Sequence, residues 1–131
     1  YYKYPDKIVD LSTKQRTIDK IITDCFEQIV YSINQPTGAR NFQAVFWNVA
    51  YYDKYYFESL FGNFFFPDGS QPDWNSLSWL QKRFMKWFNK ERTRTVLTFP
   101  VETMALLTKD GDVLDKEYGD FTAEIFLYLY E

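Results

Sequence analysis

The sequence predicts an α/β fold in which helices alternate with a few buried strands. Eight apolar residues recur at helical spacing after residue 13, whereas the stretches 42–52 and 95–107 are rich in the aromatic and β-branched residues that strands favour. Two helical patterns separate these stretches, and parallel strands need such crossover helices. A chain of 131 residues fits one domain.

The first helix is predicted over residues 13–34. The run Ser12–Gln15 fits a capping box, and Pro36 follows the last apolar position. One stripe holds the eight apolar positions: Ile18, Ile21, Ile22, Cys25, Phe26, Ile29, Val30 and Ile33. Because Cys25 belongs to this stripe, we expect a buried, inert thiol.

The middle of the chain predicts a strand followed by two helices. Residues 42–52 alternate partly and are apolar on both sides near Val45–Trp47, as in a strand buried on two faces. Asp53 can cap a short helix that reaches Phe61. A loop at 63–73 precedes a helix that continues to about Lys90.

The last third predicts a strand, a turn and a helix. Pro100 interrupts the strand at 95–107, which indicates a bulge or a sheet edge. Lys109–Asp112 reads as a tight turn, and residues 115–130 have helical spacing.

Composition limits the chemistry that this chain can perform. With no histidine and one cysteine, the chain can form neither an internal disulfide, nor an ordinary zinc site, nor a Ser-His-Asp or Cys-His centre. A net charge of −3 gives no footprint for nucleic acid or an anionic membrane, and no apolar run is long enough to span a bilayer. Glu117, Asp120 and Glu124 read as a solvated helix face. We therefore predict no catalytic or metal-ligating residue.

Three polar residues lie near an aromatic strand entry: Arg40, Gln43 and Asn48. Burying such a group unpaired costs about 1–3 kcal/mol or more. They should therefore either pair inside the fold or face a polar ligand, and the sequence leaves both possibilities open.

Two segments carry a family resemblance. Asn34–Asn48 is similar to the Arg and the aromatic-Gln-x-x-Phe-x-Asn strand of anaerobic (class III) ribonucleoside-triphosphate reductase catalytic subunits. Leu97–Thr103 resembles the Phe-Thr-Phe-Pro-hydrophobic-x-Thr strand of the same family. Phe84 and Trp87 lie where that family has its connecting helix, and the resemblance runs over residues 13–124.

The resemblance implies an internal fragment of a ten-stranded α/β barrel. Residues 1–131 would be a single segment of the barrel domain, incomplete at both ends. The whole enzyme would be a cytoplasmic oxidoreductase, an expected homodimer that makes deoxyribonucleoside triphosphates from ribonucleoside triphosphates by glycyl and thiyl radical chemistry. It would contain structural zinc, bind nucleotide effectors and be activated by an iron–sulfur enzyme.

The catalytic cysteine and the radical glycine of the family have no counterpart in this chain, so we expect the fragment alone to be inactive and to hold no cofactor. The resemblance puts Arg40, Gln43 and Asn48 near the substrate or the barrel interior.

Two other interpretations remain open. One is an independent, aromatic-rich protein-interaction domain, because the chain is 21% aromatic and contains the clusters Tyr51–Phe57 and Phe64–Phe66. The other is an unrelated small enzyme that uses carboxylates.

Overall fold

A computed structural model describes residues 8–11, 14–35 and 45–127. Its four helices are α1 Ile18–Asn34, α2 Lys54–Phe61, α3 Trp74–Arg94 and α4 Lys116–Leu127. Its six strands are β1 Ile8–Leu11, β2 Lys14–Thr17, β3 Asn48–Tyr52, β4 Val101–Ala105, β5 Thr108–Lys109 and β6 Asp112–Val113. The chain divides into two compact units, one of residues 1–48 and 90–101 and the other of residues 49–89 and 102–131.

Helix α1 of the first unit begins later than the sequence predicts. β1 and β2 pair antiparallel, with Ile8 beside Thr17. The helix starts after this pair at Ile18, and the Thr17 hydroxyl caps it by accepting from the Lys20 amide at 3.1 Å. The predicted start at residue 13 is therefore wrong, because the backbone of residues 14–17 is paired with another strand. Ser12 and Thr13 lie outside the described residues.

The apolar stripe of α1 is only partly buried. Ile18 and Val30 are buried, but Ile29 is 50% exposed and Cys25 is exposed. The prediction of a buried thiol is therefore wrong. The eight apolar positions occupy a wide face of α1, and only part of that face is buried. Cys25 lies on the exposed part.

The carboxyl end of α1 is held by an amide side chain. Asn34 Nδ2 donates to the Phe99 carbonyl at 2.6 Å, and Asn34 Oδ1 accepts from the Phe99 amide at 2.9 Å. Near it, the Tyr31 hydroxyl donates to Glu91 at 2.5 Å, and Arg94 also binds Glu91. Hydrogen bonds from Arg94 and then from Tyr31 lower the pKa of Glu91.

β3 and β4 are neighbours in one sheet. The Val101 amide donates to the Trp47 carbonyl at 2.9 Å, and the Asp53 amide donates to the Ala105 carbonyl at 3.2 Å. From the first bond to the second, the residue number rises on both strands, so the strands run parallel. Both bonds fit a register in which Ala50 lies beside Thr103. Since α2 and α3 connect the two strands, the predicted crossover arrangement is confirmed.

The second unit has an aromatic-rich core. Its buried centre consists of Tyr51, Met85, Tyr118 and Ile125. The partly buried residues packed against that centre are Val49, Phe84, Met104, Leu106 and Phe121. α3 and α4 thus cover the β3 face that carries Tyr51, and part of the high aromatic content serves this core.

Asp53 links three parts of the second unit. Its side chain is fully buried. Oδ1 accepts from the Tyr56 amide at 2.7 Å, which confirms the predicted cap of α2, and Oδ2 accepts from the Leu107 amide at 2.7 Å. Since the Asp53 amide also bonds to Ala105, this residue joins the end of β3, the start of α2 and the chain after β4.

A tight turn joins β5 to β6, as predicted. Asp110 and Gly111 have positive φ values of 53° and 85°. Two consecutive residues with positive φ form the type I′ turn that two-residue hairpins favour, and Asp-Gly is a preferred sequence for it.

Replacing Asp53 should destabilise the chain more than replacing an exposed cap. In Asp53→Ala, α2 loses its cap and the half-buried Leu107 amide loses its acceptor, so we expect a loss of about 2–4 kcal/mol in the free energy of unfolding. Asp73→Ala removes an exposed cap that accepts from the Ser76 amide at 3.0 Å, and should cost about 1 kcal/mol. Urea unfolding of both variants measures the difference, and equal losses would contradict this role for Asp53.

Candidate functional site

The structure describes one of the three residues that the sequence singles out. Asn48 is the first residue of β3, and its side chain is exposed. Arg40 and Gln43 lie outside the described residues, so their proximity to Asn48 stays a prediction.

The two faces of the β3–β4 pair differ in burial. On β3, Tyr51 is buried and Val49 is half-buried, whereas Asn48 and Ala50 are exposed. β4 alternates in the same way, because Glu102 and Met104 are half-buried while Val101 and Thr103 are exposed. One face therefore packs on the core, and the other, which carries Asn48, Ala50, Val101 and Thr103, is exposed.

An uncovered face is unusual for parallel strands, which are normally buried on both sides. Two strands also do not make an independently stable sheet. Such a pair needs either further strands and a cover, or a cavity that its open face lines. This face is therefore the candidate functional surface.

Gln81 of α3 completes part of the β3 backbone. Its Oε1 accepts from the Tyr52 amide at 3.0 Å, and its Nε2 donates to the Tyr52 carbonyl at 3.1 Å. Gln81 is buried, so its amide makes the bonds that a neighbouring strand would otherwise make. The end of β3 is thereby fixed relative to α3.

A buried polar cluster holds the packed face of the sheet. The Tyr51 hydroxyl donates to Glu102 Oε1 at 2.8 Å, and Asn89 Nδ2 donates to the same oxygen at 3.4 Å. Asn89 Nδ2 also donates to the Met85 carbonyl at 2.9 Å. The cluster ties β3, β4 and α3 together.

The cluster keeps Tyr51 protonated. Burial raises the pKa of the Tyr51 phenol above its ordinary value, and the negative charge of Glu102 and the hydrogen bond to it raise that pKa further. A phenol of this kind donates a hydrogen bond and does not act as a base near neutral pH, so the cluster positions the strands. Sequence reasoning missed it, although Glu102 falls on the same side of β4 as Met104 and is thus a charged residue at a core-facing position.

Other types of site find little support in the described part of the chain. Its His, Cys, Asp and Glu residues form no group of three or more that could hold a metal ion. None of its helices is both long enough and apolar enough to cross a membrane.

The two aromatic clusters of the interaction-domain interpretation differ in exposure. In Tyr51–Phe57, Tyr51 and Phe57 are buried while Tyr55 is 44% exposed, so this cluster is only partly on the surface. Phe64, Phe65 and Phe66 are 47%, 61% and 45% exposed. The second cluster is therefore the more exposed of the two.

The described residues form a mixed segment of helices and strands with small sheets. One face of its two parallel strands, β3 and β4, is exposed. Residues 6–129 match the family described as anaerobic ribonucleoside-triphosphate reductase. The chain belongs to this family, which confirms the resemblance drawn from its two motifs, and the interaction-domain interpretation is not favoured.

Solved structures support this assignment. The anaerobic ribonucleotide reductase of Thermotoga maritima with citrate in its active site is 37% identical, with a TM-score of 0.75 over 84% of this chain and 19% of that one. The same enzyme in complex with dATP and CTP is 37% identical, with a TM-score of 0.75 over 82% of this chain and 18% of that one. This chain thus spans about a fifth of the length of these relatives. No curated protein matches it.

Tyr51 should make stability fall at high pH. The phenol ionises near pH 10 in the unfolded chain but at a higher pH in the folded chain, so above about pH 10 the folded state binds more protons. We expect this residue alone to lower the free energy of unfolding by about 1.4 kcal/mol per pH unit in that range. In Tyr51→Phe the decline should be shallower by that amount.

Urea unfolding at a series of pH values measures both slopes, with Tyr55→Phe as a control for loss of a surface phenol. Identical slopes for the parent chain and Tyr51→Phe would contradict a buried, protonated Tyr51.

Proposed function

We propose that this chain is an internal segment of the barrel domain of an anaerobic ribonucleoside-triphosphate reductase. The observation that carries the proposal is the family match over residues 6–129, together with a TM-score of 0.75 to a relative of which this chain covers 19%. The segment would contribute to reducing ribonucleoside triphosphates to deoxyribonucleoside triphosphates. Residues 1–131 would form one segment of that domain, incomplete at both ends.

In this proposal, β3 and β4 are two of the ten strands of the barrel. Their pairing is parallel, helices cover one face, and the exposed face carries small or polar residues such as Ala50 and Thr103. In α/β barrels, helices lie outside and the opposite strand face points inward. The exposed face would therefore line the interior, and the rest of the subunit would cover it.

Arg40, Gln43 and Asn48 are the proposed substrate-binding or barrel-interior residues. Support comes from Asn48, which lies on the same side of β3 as Ala50. Its amide could donate to or accept from a sugar hydroxyl or a phosphate oxygen. Arg40, eight residues earlier in the sequence, would supply a bidentate donor for phosphate oxygens.

The radical chemistry itself would belong to the remainder of the subunit. We place the glycyl radical, the cysteine that forms the thiyl radical, the structural zinc and the nucleotide effector sites in the rest of the enzyme. We also propose activation by a separate iron–sulfur enzyme, a homodimeric assembly and a cytoplasmic location. The isolated chain should accordingly be inactive.

Substitution of Asn48 tests the proposal in the full-length reductase that contains this segment. If the amide bonds to substrate, Asn48→Ala should lower kcat/KM for ribonucleoside-triphosphate reduction by about tenfold, the value of one hydrogen bond. The glycyl-radical yield, measured by electron paramagnetic resonance, should stay the same. Lys109→Ala, on the β5–β6 hairpin, is the control.

Unchanged kcat/KM in Asn48→Ala would remove this residue from the site. A source gene that does not continue into a cysteine-containing loop and a radical-glycine motif would overturn the reductase proposal as a whole.

A further inference from the structure

The loop of residues 62–71, between α2 and α3, is held in shape by its own hydrogen bonds. Gln71 Nε2 donates to the Gly62 carbonyl at 3.2 Å, which joins the two ends of the loop. Within the loop, the Phe66 amide donates to the Ser70 carbonyl at 2.8 Å. The backbone is therefore fixed in one compact form, and compact surface loops of this length frequently carry function.

This loop exposes three consecutive aromatic rings, which we call the phenylalanine patch: Phe64, Phe65 and Phe66. The Phe64 ring contacts the rings of Phe61 and Phe66, with centroid distances of 6.3 and 5.4 Å. Phe61 in turn contacts the buried ring of Phe57 at 5.4 Å, so the patch continues the aromatic packing of α2 outward. Phe65 is the most exposed of the three, at 61%.

The patch is large enough to indicate a contact surface. An aromatic side chain has an area of about 200 Å², so the exposed fractions leave about 300 Å² of apolar surface in contact with water. Exposed apolar area of this size commonly marks a binding surface. Because the loop backbone is already fixed, a surface that covers the rings does not first have to order the loop, which removes part of the cost of binding.

The area of the patch also indicates what covers it. A stable interface between two separate proteins buries about 800 Å² on each partner, more than twice the area of this patch. Two surfaces of one polypeptide need no such area, because the chain already holds them near each other. Length agrees with a contact inside one polypeptide, since this chain covers only 19% of one solved relative.

We propose that the phenylalanine patch packs against an apolar surface in the remainder of the same reductase subunit. This inference rests on the proposed function, because only a longer subunit supplies that surface. Phe65 would be the central anchor, since it has the most area left to bury. The remainder of the subunit would thus have a second contact with this segment, besides the open face of β3 and β4.

Photo-cross-linking in the full-length reductase tests the proposal. Benzoylphenylalanine incorporated in place of Phe65 should cross-link to apolar residues that lie outside residues 1–131 of the same subunit, as located by mass spectrometry. The same probe in place of Lys109, on the exposed β5–β6 hairpin, measures non-specific cross-linking. Mixing subunits of light and heavy isotope composition identifies cross-links between copies, because those join peptides of different mass.

Two substitutions in the same enzyme give a second measurement. Phe65→Asp should speed thermal inactivation by about tenfold or more, since a charge would replace an apolar ring in a covered contact. Phe65→Leu keeps an apolar side chain and should change the rate much less. Equal rates for Phe65→Asp and the parent enzyme would overturn the proposal.

The cross-linking result separates this inference from the proposed function. A cross-link between two copies, or a yield at position 65 no higher than at position 109, would also overturn the packing of the patch within one subunit. If the enzyme that carries the probe still reduces ribonucleoside triphosphates, such a result contradicts this inference alone.

Discussion

The buried carboxylate of Asp53 is the constraint on which the unit of residues 49–89 and 102–131 depends. A fully buried charge is costly unless hydrogen bonds compensate for the water it loses. Asp53 obtains this compensation from the amides of Tyr56 and Leu107, which belong to separate parts of the unit. The residue can therefore be satisfied only when α2 and the chain after β4 are both in place, and this requirement fixes where the parallel strands end.

Two side-chain amides also form hydrogen bonds with backbone groups of distant segments. Gln81 makes two hydrogen bonds to Tyr52, and Asn34 makes two to Phe99 in the other unit. The Gln81 amide takes the position that a neighbouring strand would fill, and the Asn34 amide pairs with the backbone just before β4. These contacts hold the strand segments without closing the sheet, since the face that carries Ala50 stays exposed among the described residues. An unfinished sheet of this kind suits a segment that is completed by the rest of a larger protein.

The sequence predicted features with a local physical cause. Asp53 as a cap, the Asp110–Gly111 turn and the crossover helices all follow from short-range patterns. The sequence failed where the cause is a contact between separate segments. Residues 14–17 pair with β1, so α1 begins later than predicted, and the exposure of Cys25 depends on what packs against that helix. The bond from Tyr51 to Glu102 joins two strands, and so no local pattern predicts it. For the candidate site, the family resemblance indicated Asn48, whereas the open face became visible only from burial.

We propose that this open face lines the interior of a larger barrel. Thiol labelling of Ala50→Cys, located by mass spectrometry, tests it most directly, with Lys109→Cys as the surface control. The account predicts rapid labelling of both cysteines in the isolated chain and, in the full-length reductase, protection of the cysteine at position 50 only. Equally rapid labelling of both positions in the full-length protein would contradict it.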